Sequence, residues 1–175
     1  MKKLKVTFVG HCAVGKTSIA NRYTRNLFSN RYIDTIGCDI YIKPVDIGGE
    51  EYKLNIHDIG GQLEFRDFRR KCMDNADIVL IVFALNEPSS YDISEYLDDI
   101  AAMPSKPLFA LVGNKLDLVS KDKIDLSGIN AIAQNHDTPM YLVSAKENVM
   151  IQEMIIDLVK KFIEKGALDV SNELI

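Results

Sequence analysis

The stretch VTFVGHCAVGKTSIANRY, residues 6–23, limits the fold more than any other part of the chain. An apolar, β-branched run ends at Gly10, Gly15-Lys16-Thr17 follows after a short interval, and a helix-compatible segment then begins. A Gly-x-x-x-x-Gly-Lys-Thr loop between a strand and a helix is the pattern that wraps a phosphate. Its glycines let successive N–H groups turn inward, and the helix N-terminus adds the positive end of its dipole. The expected phosphate-binding set is Gly10, Ala13, Val14, Gly15, Lys16, Thr17 and Ser18, with Lys16 reaching the β and γ phosphates and the Thr17 hydroxyl ligating Mg²⁺.

Such a loop belongs to an α/β layer structure, and the rest of the chain agrees with one. Short apolar runs at 3–9, 39–47, 51–57, 77–84, 107–113 and 139–143 read as strands. They alternate with helix-compatible stretches near 16–25, 65–74, 90–103, 127–135 and 149–164. The Gly-Gly turn in DIGGEE joins the second and third strands as a hairpin, which makes one edge of the sheet antiparallel. The expected fold is a doubly wound, six-stranded, mostly parallel sheet with one antiparallel edge strand and helices on both faces. Ile151, Met154, Ile155, Leu158 and Phe162 form an apolar stripe at helical spacing and read as core.

With 175 residues, 47% of them hydrophobic, the chain suffices for one core and not for two ordinary domains. The expected division is one domain over 1–166 and a short tail over 167–175. The net charge of −4, without basic blocks, gives nothing to recommend a nucleic-acid backbone as the main partner, and none is expected. Cys12, Cys38 and Cys72 show no metal or redox spacing and suit thiols in a reducing compartment. The first apolar run is too short for a signal-peptide core, and no segment approaches a membrane span.

Phosphates do not distinguish one nucleotide from another, so a base reader must lie elsewhere. Asn114-Lys115-Leu116-Asp117 follows the fifth strand and Ser144-Ala145-Lys146 the sixth, at the C-terminal strand ends where open α/β sheets place ligands. Taken singly, each reads as a polar turn. Together with the upstream loop they resemble the Ras-like small GTPases, a family of P-loop G domains. The resemblance implies that Asp117 meets the guanine N1–H and 2-amino group, that Lys115 packs on the base, that the Ala145 N–H meets O6, and that Lys146 covers the base's face. Asn114 and Ser144 belong to the same two elements. Phe28 matches the aromatic that packs edge-on against guanine, against the alternative of a core phenylalanine ending the first helix.

Two further segments carry the resemblance. Tyr32-Ile33-Asp34-Thr35-Ile36-Gly37 is similar to the first switch, in which Thr35 reaches Mg²⁺ and the γ-phosphate in the triphosphate state. Asp58-Ile59-Gly60-Gly61-Gln62 is similar to the second, which implies that Asp58 holds Mg²⁺ through water, Gly61 donates its N–H to the γ-phosphate and Gln62 orients the attacking water. TIGCDIY and GQLEFR look Rab-like or Ras-like, whereas DIGGQ is similar to the Arf and heterotrimeric α-subunit form. His57 stands where the Rab pattern has tryptophan and reads as a packing substitute. Arg31 reads as an exposed loop arginine, with a catalytic finger supplied in cis as the alternative. Cys12 falls at the loop position nearest the γ-phosphate; it reads as a tolerated small side chain, with slowed hydrolysis or a reactive thiol as the alternatives.

The function these features imply is a guanine-nucleotide switch that binds GTP and GDP with Mg²⁺ and slowly hydrolyses GTP. Gln62, Lys16 and Gly61 would be its catalytic residues, and an exchange factor, an activating protein and effectors would meet it at 31–41 and 59–74. The alternative is a scaffold that stays loaded with nucleotide and hardly turns it over, a reading that only Cys12 favours. An ATP-using phosphotransferase would leave Asn114 to Asp117 unexplained. Lys2 stands where myristate needs glycine, no C-terminal cysteine offers a prenyl site, and the tail is acidic. The expectation is a cytoplasmic monomer without its own lipid anchor, recruited to membranes by partners.

Overall fold

The computed structural model describes residues 1–31 and 33–172. Tyr32, within the first-switch segment, and residues 173–175 of the expected tail lie outside the described residues, as do the side chains of Lys121 and 167–172. The elements are β1 (Lys2–Val9), α1 (Lys16–Arg25), β2 (Cys38–Ile47), β3 (Glu50–Ile59), α2 (Arg66–Met73), β4 (Ile78–Ala84), α3 (Ser94–Ala101), β5 (Leu108–Asn114), α4 (Ser127–Asn135), β6 (Met140–Leu142) and α5 (Ile151–Asn172). Strand order is β2-β3-β1-β4-β5-β6. β2 runs antiparallel to β3, and every other pairing is parallel, as expected from the hairpin and the crossovers.

The period-2 alternation of the central strands explains the two covered faces. In β4, Ile78, Leu80, Val82 and Ala84 join a core with Ile19, Ala20 and Tyr23 of α1 and with Ile151, Met154, Ile155 and Leu158 of α5. The alternate residues Val79, Ile81 and Phe83 join a second core with Met73 of α2, Tyr96 and Ile100 of α3, and Ile129 of α4. A strand buried on both sides reads as a continuous apolar run, which β4 is throughout. The edge strand β2 differs: Ile40 and Ile42 face outward, and Pro44 is tolerated because an edge need not supply every ladder donor. Gly48 and Gly49, both at positive φ, close the β2–β3 hairpin.

Two boundaries differ from the sequence expectation for local hydrogen-bonding reasons. The segment expected as one helix over 90–103 is a 3-10 turn at Pro88–Tyr91 followed by α3. Here the Ser90 hydroxyl accepts the Ala84 N–H at 2.9 Å and donates to the Glu87 carbonyl at 2.6 Å, while Asp92 accepts from the Ser94 N–H and hydroxyl, so the backbone turns before the helix starts. α5 begins at Ile151 rather than 149, because Ser144 and Val149 exchange backbone hydrogen bonds of 2.9 and 3.2 Å and close a loop between them. The helix then continues past Gly166 to Asn172.

Because Leu80 is fully buried at the centre of the sheet, Leu80→Ala should cost about 2–5 kcal/mol. Ile42→Ala, on the exposed side of the edge strand, should stay within about 0.5 kcal/mol of the parent. Urea unfolding at equal nucleotide concentration measures both.

Candidate functional site

Parallel pairing brings the carboxyl ends of β1, β3, β4, β5 and β6 to one edge of the sheet, and a cleft of about 380 Å³ opens there. That volume lies in the range usual for small-molecule sites. Its lining draws on every sequence motif: Cys12, Ala13, Gly15, Lys16, Thr17 and Ser18 from the loop before α1, Phe28 and Thr35 from the first-switch region, Gly61 and Gln62 from the second, and Asn114, Lys115, Asp117, Ala145 and Lys146 from the loops after β5 and β6. Gly10, Val14, Asp58 and Ser144 do not line the cleft, but each holds a residue that does.

Lys16 opens α1, and its ammonium folds back over the loop, donating to the Gly10 and His11 carbonyls at 2.8 Å each. Burial lowers its pKa to about 8, with the charge of Asp58 acting the other way. Two carbonyls offset part of the cost of burying this cation, and an anion bound in the cleft would offset more. The loop supplies no acidic side chain in the first turn of α1, so the helix N-terminus is left to an incoming negative charge.

Behind Lys16, three oxygen-bearing side chains converge, from α1, from β3 and from the connection between α1 and β2. The Thr17 hydroxyl donates to Asp58 Oδ2 at 2.5 Å and lies 2.9 Å from the Thr35 hydroxyl. Asp58 Oδ1 is buried without a hydrogen-bond partner, and burial raises the Asp58 pKa to about 6, against the Thr17 hydrogen bond and the Lys16 charge. Two hydroxyls and a carboxylate with an unpaired buried oxygen form a hard donor set of the kind Mg²⁺ takes. The residues present therefore fit the ion.

The two switch segments meet at Gly60 and Gly61. The Gly60 N–H donates to the Gly37 carbonyl at 2.9 Å. A Cβ on Gly60 would stand 2.4 Å from the Thr35 carbonyl oxygen, and one on Gly61 would stand 2.4 Å from the Cys12 nitrogen. Glycine at both places lets the second segment lie directly on the first and on the phosphate loop, which brings Gln62 to the cleft.

At the other end, Asn114 acts as a tie: its Nδ2 donates to the Val14 carbonyl at 3.0 Å, and its Oδ1 accepts the Ala145 N–H at 3.2 Å. The N–H that the resemblance assigns to guanine O6 is thus already engaged, and a base would have to share it. Asp117 Oδ1 accepts from the Ser144 hydroxyl at 2.5 Å, and Oδ2 lies 4.0 Å from Lys146 Nζ. Each carboxylate oxygen has two lone pairs, so these contacts leave acceptor capacity for a base edge. Phe28 lines the cleft and also packs, partly buried, against the core that α1 and α5 share.

One contributor has no signature in the sequence. Arg22, on α1, donates from Nε to the Ala145 carbonyl at 2.8 Å and from Nη2 to the Lys146 carbonyl at 3.0 Å, and its guanidinium lies 5.9 Å from the Phe28 ring centre. It fastens the loop after β6 to the helix that follows the phosphate loop, a pairing across 123 residues that no local pattern announces. Arg31 lines the cleft mouth. His57 does not line it; the ring lies in β3 with Nδ1 3.7 Å from Cys38 Sγ, and burial, with the Lys5 charge, lowers its pKa.

The sequence model of the Ras family matches residues 5–164. Ras-related protein Rab-30 of Homo sapiens is 31% identical over 93% of this chain and 81% of its own length. Ras-related protein Rab-1C of Dictyostelium discoideum is 33% identical over 89% of this chain and 78% of its own. Ras-related protein Rab-21 of Homo sapiens is 28% identical over 94% and 74%. Among the described residues no helix is long and apolar enough to cross a membrane. The family model matched along nearly the whole chain, and relatives 31–33% identical over most of their length, place this protein, whose sequence motifs line one cleft, in the Ras family of small GTPases, enzymes that hydrolyse GTP.

Proposed function

We propose that this protein is a trafficking or signalling switch that alternates between GTP-bound and GDP-bound states with Mg²⁺, and that effectors read the conformation of 31–41 and 59–74. The observation that carries this reading is the single cleft lined at once by Lys16, Thr17, Thr35, Gln62, Asp117 and Ala145. In this reading the phosphates lie on the amides of the loop before α1, and the base lies between Phe28, Lys115, Lys146 and Asp117. Thr17 and Thr35 would hold Mg²⁺ directly and Asp58 through water. When bound, the ion would neutralise charge on the β and γ phosphate oxygens.

Hydrolysis is in-line attack of water on the γ-phosphorus: the new P–O bond forms as the bond to the β-γ bridging oxygen breaks, and GDP leaves. Gln62 holds the water, the Gly61 N–H meets a γ oxygen, and the Lys16 ammonium stabilises charge as it builds toward the leaving oxygen. Slow intrinsic turnover follows from the modest number of donors, and an activating protein would add more. The meeting of Ile36, Phe65 and Phe68 around an apolar depression beside Gln62 supports partner binding at the switch junction, since large apolar side chains are otherwise exposed there.

Asp117→Asn exchanges an acceptor for a donor, so nucleotide preference should move from guanine toward xanthine. Unchanged GDP affinity with no gain for the xanthine nucleotide in a binding panel would refute the assignment.

Lys16→Ala removes a buried, phosphate-facing charge and should lose far more GDP affinity than Cys12→Gly, which removes a small exposed side chain. Calorimetry on the two variants compares them directly, and equal affinities would reject the phosphate-loop role.

Gln62→Leu should bind GTP about as well as the parent but hydrolyse it at least about tenfold more slowly, a barrier increase of roughly 1.4 kcal/mol. Single-turnover hydrolysis is the measurement. A parent rate as slow as that of Gln62→Leu, unmoved by Cys12→Gly, would favour the loaded scaffold instead.

A further inference from the structure

The helix that follows the second switch is held by very little apolar surface. Of the α2 residues, only Arg69 and Met73 are buried. Its main attachment is ionic. The Asp99 side chain on α3 is fully buried and accepts from Arg66 Nε at 2.8 Å, Arg70 Nε at 2.7 Å, and Arg69 Nε and Nη2 at 3.0 and 2.8 Å. Arg69, 3% exposed at its side chain, also reaches Glu95.

This cage continues to the phosphate loop. The Arg69 guanidinium lies 4.8 Å from the Tyr96 ring centre, and Tyr96 meets the His11 ring edge-on at 5.6 Å. His11 is bonded through Nε2 to the Asp92 carbonyl at 2.8 Å. The peptide between His11 and Cys12 is the one on which Gly61 rests, with a Cβ there only 2.4–2.6 Å from its atoms. Gln62 therefore follows a backbone point pressed on the phosphate loop and precedes a helix held by Asp99.

We infer that Asp99 is a positioning residue for GTP hydrolysis, holding α2 on α3 through Arg66, Arg69 and Arg70 and so fixing where Gln62 can stand. The inference rests on the reading that Gln62 orients the attacking water. The physical ground is the asymmetry of a buried ion pair: with both partners present it is roughly balanced, but removing one leaves an uncompensated buried charge. Without the Asp99 carboxylate, Glu95, paired with Arg69 and 3.4 Å from Arg66, is left as the one cage carboxylate facing three guanidiniums, so their mutual repulsion is no longer balanced and α2 is held less firmly. Met73 and the partly buried Cys72 give α2 only a small apolar hold on the core. α1 and the face of the sheet that packs on it and on α5 belong to the other core, so the phosphate and base contacts of the proposed reading keep their arrangement.

The test is a four-member cycle of the parent, Asp99→Asn, Gln62→Leu and the double variant, each loaded with nucleotide. Asp99→Asn should slow single-turnover hydrolysis at least about tenfold while GDP affinity stays within about threefold. Amide hydrogen exchange in the GDP-loaded protein should rise at least about tenfold over 63–73 and stay unchanged over 78–84. In the Gln62→Leu background, Asp99→Asn should slow hydrolysis no further, because both residues act on one transition state. Arg66→Ala with Arg70→Ala, at two partly exposed cage members, should show the same pattern at smaller amplitude and covers the case in which Asp99→Asn does not fold.

A parent-like rate and parent-like exchange over 63–73 in Asp99→Asn, or in the arginine pair if Asp99→Asn does not fold, overturns the inference. So does equal slowing in both backgrounds with exchange raised across the whole domain. If Gln62→Leu itself hydrolyses like the parent, the role of Gln62 fails and the inference with it, and exchange over 63–73 then shows whether the clamp stands without that role.

Discussion

A lysine ammonium almost wholly removed from water sits at the centre of this structure, and its neighbours are placed by the need to offset that cost. Lys16 can be buried because the loop before α1 turns two carbonyls inward to receive it. Those carbonyls face inward only if the loop wraps tightly, and the same wrapping turns the N–H groups toward the cleft. The negative charge of Asp58 lies close enough to favour the ammonium, while Asp58 itself is buried and held by Thr17. A small set of charges is thus kept out of water in an arrangement that is incomplete by itself and that phosphate with a divalent cation would complete.

The switch segments join this arrangement through backbone rather than through large side chains. Thr35 comes to Thr17 by its hydroxyl, and Gly37 and Gly60 are linked by one backbone hydrogen bond. Contacts so few and so local can be made and broken by the gain or loss of one charged group, which suits segments whose conformation carries information. On the far side of the second segment the attachment is ionic. Apart from Met73, α2 is held to α3 chiefly by arginines around Asp99. A helix fastened mainly by ion pairs, with Met73 and Cys72 as its contacts to the core, gives up little buried apolar area when it moves.

Much of the fold was legible because its signals are local. Short apolar runs located the strands within a residue or two, and the Gly-Gly turn marked the antiparallel edge. The stripe from Ile151 to Phe162 packs against the core as its spacing implied. Two helix starts were misplaced where side chains intercept the backbone: Ser90 and Asp92 delay α3, and the exchange between Ser144 and Val149 delays α5. Propensity does not register such hydrogen bonds, because they depend on where the chain has already gone.

The site divides in the same way. The residue types at 10–18, with their order and spacing, pointed to a phosphate loop, and those at 58–62, 114–117 and 144–146 carried the resemblance to the Ras-like small GTPases, since each set is contiguous. Only the tertiary structure decided how those sets are held together. Arg22 fastened to the carbonyls of Ala145 and Lys146, Asn114 bridging Val14 and Ala145, and Asp99 among three arginines of α2 all join residues tens of positions apart or more. A short motif is visible in sequence because its parts are covalent neighbours. A tie between distant segments exists only after parallel strand pairing has brought their ends to one edge, and no spacing along the chain encodes that distance.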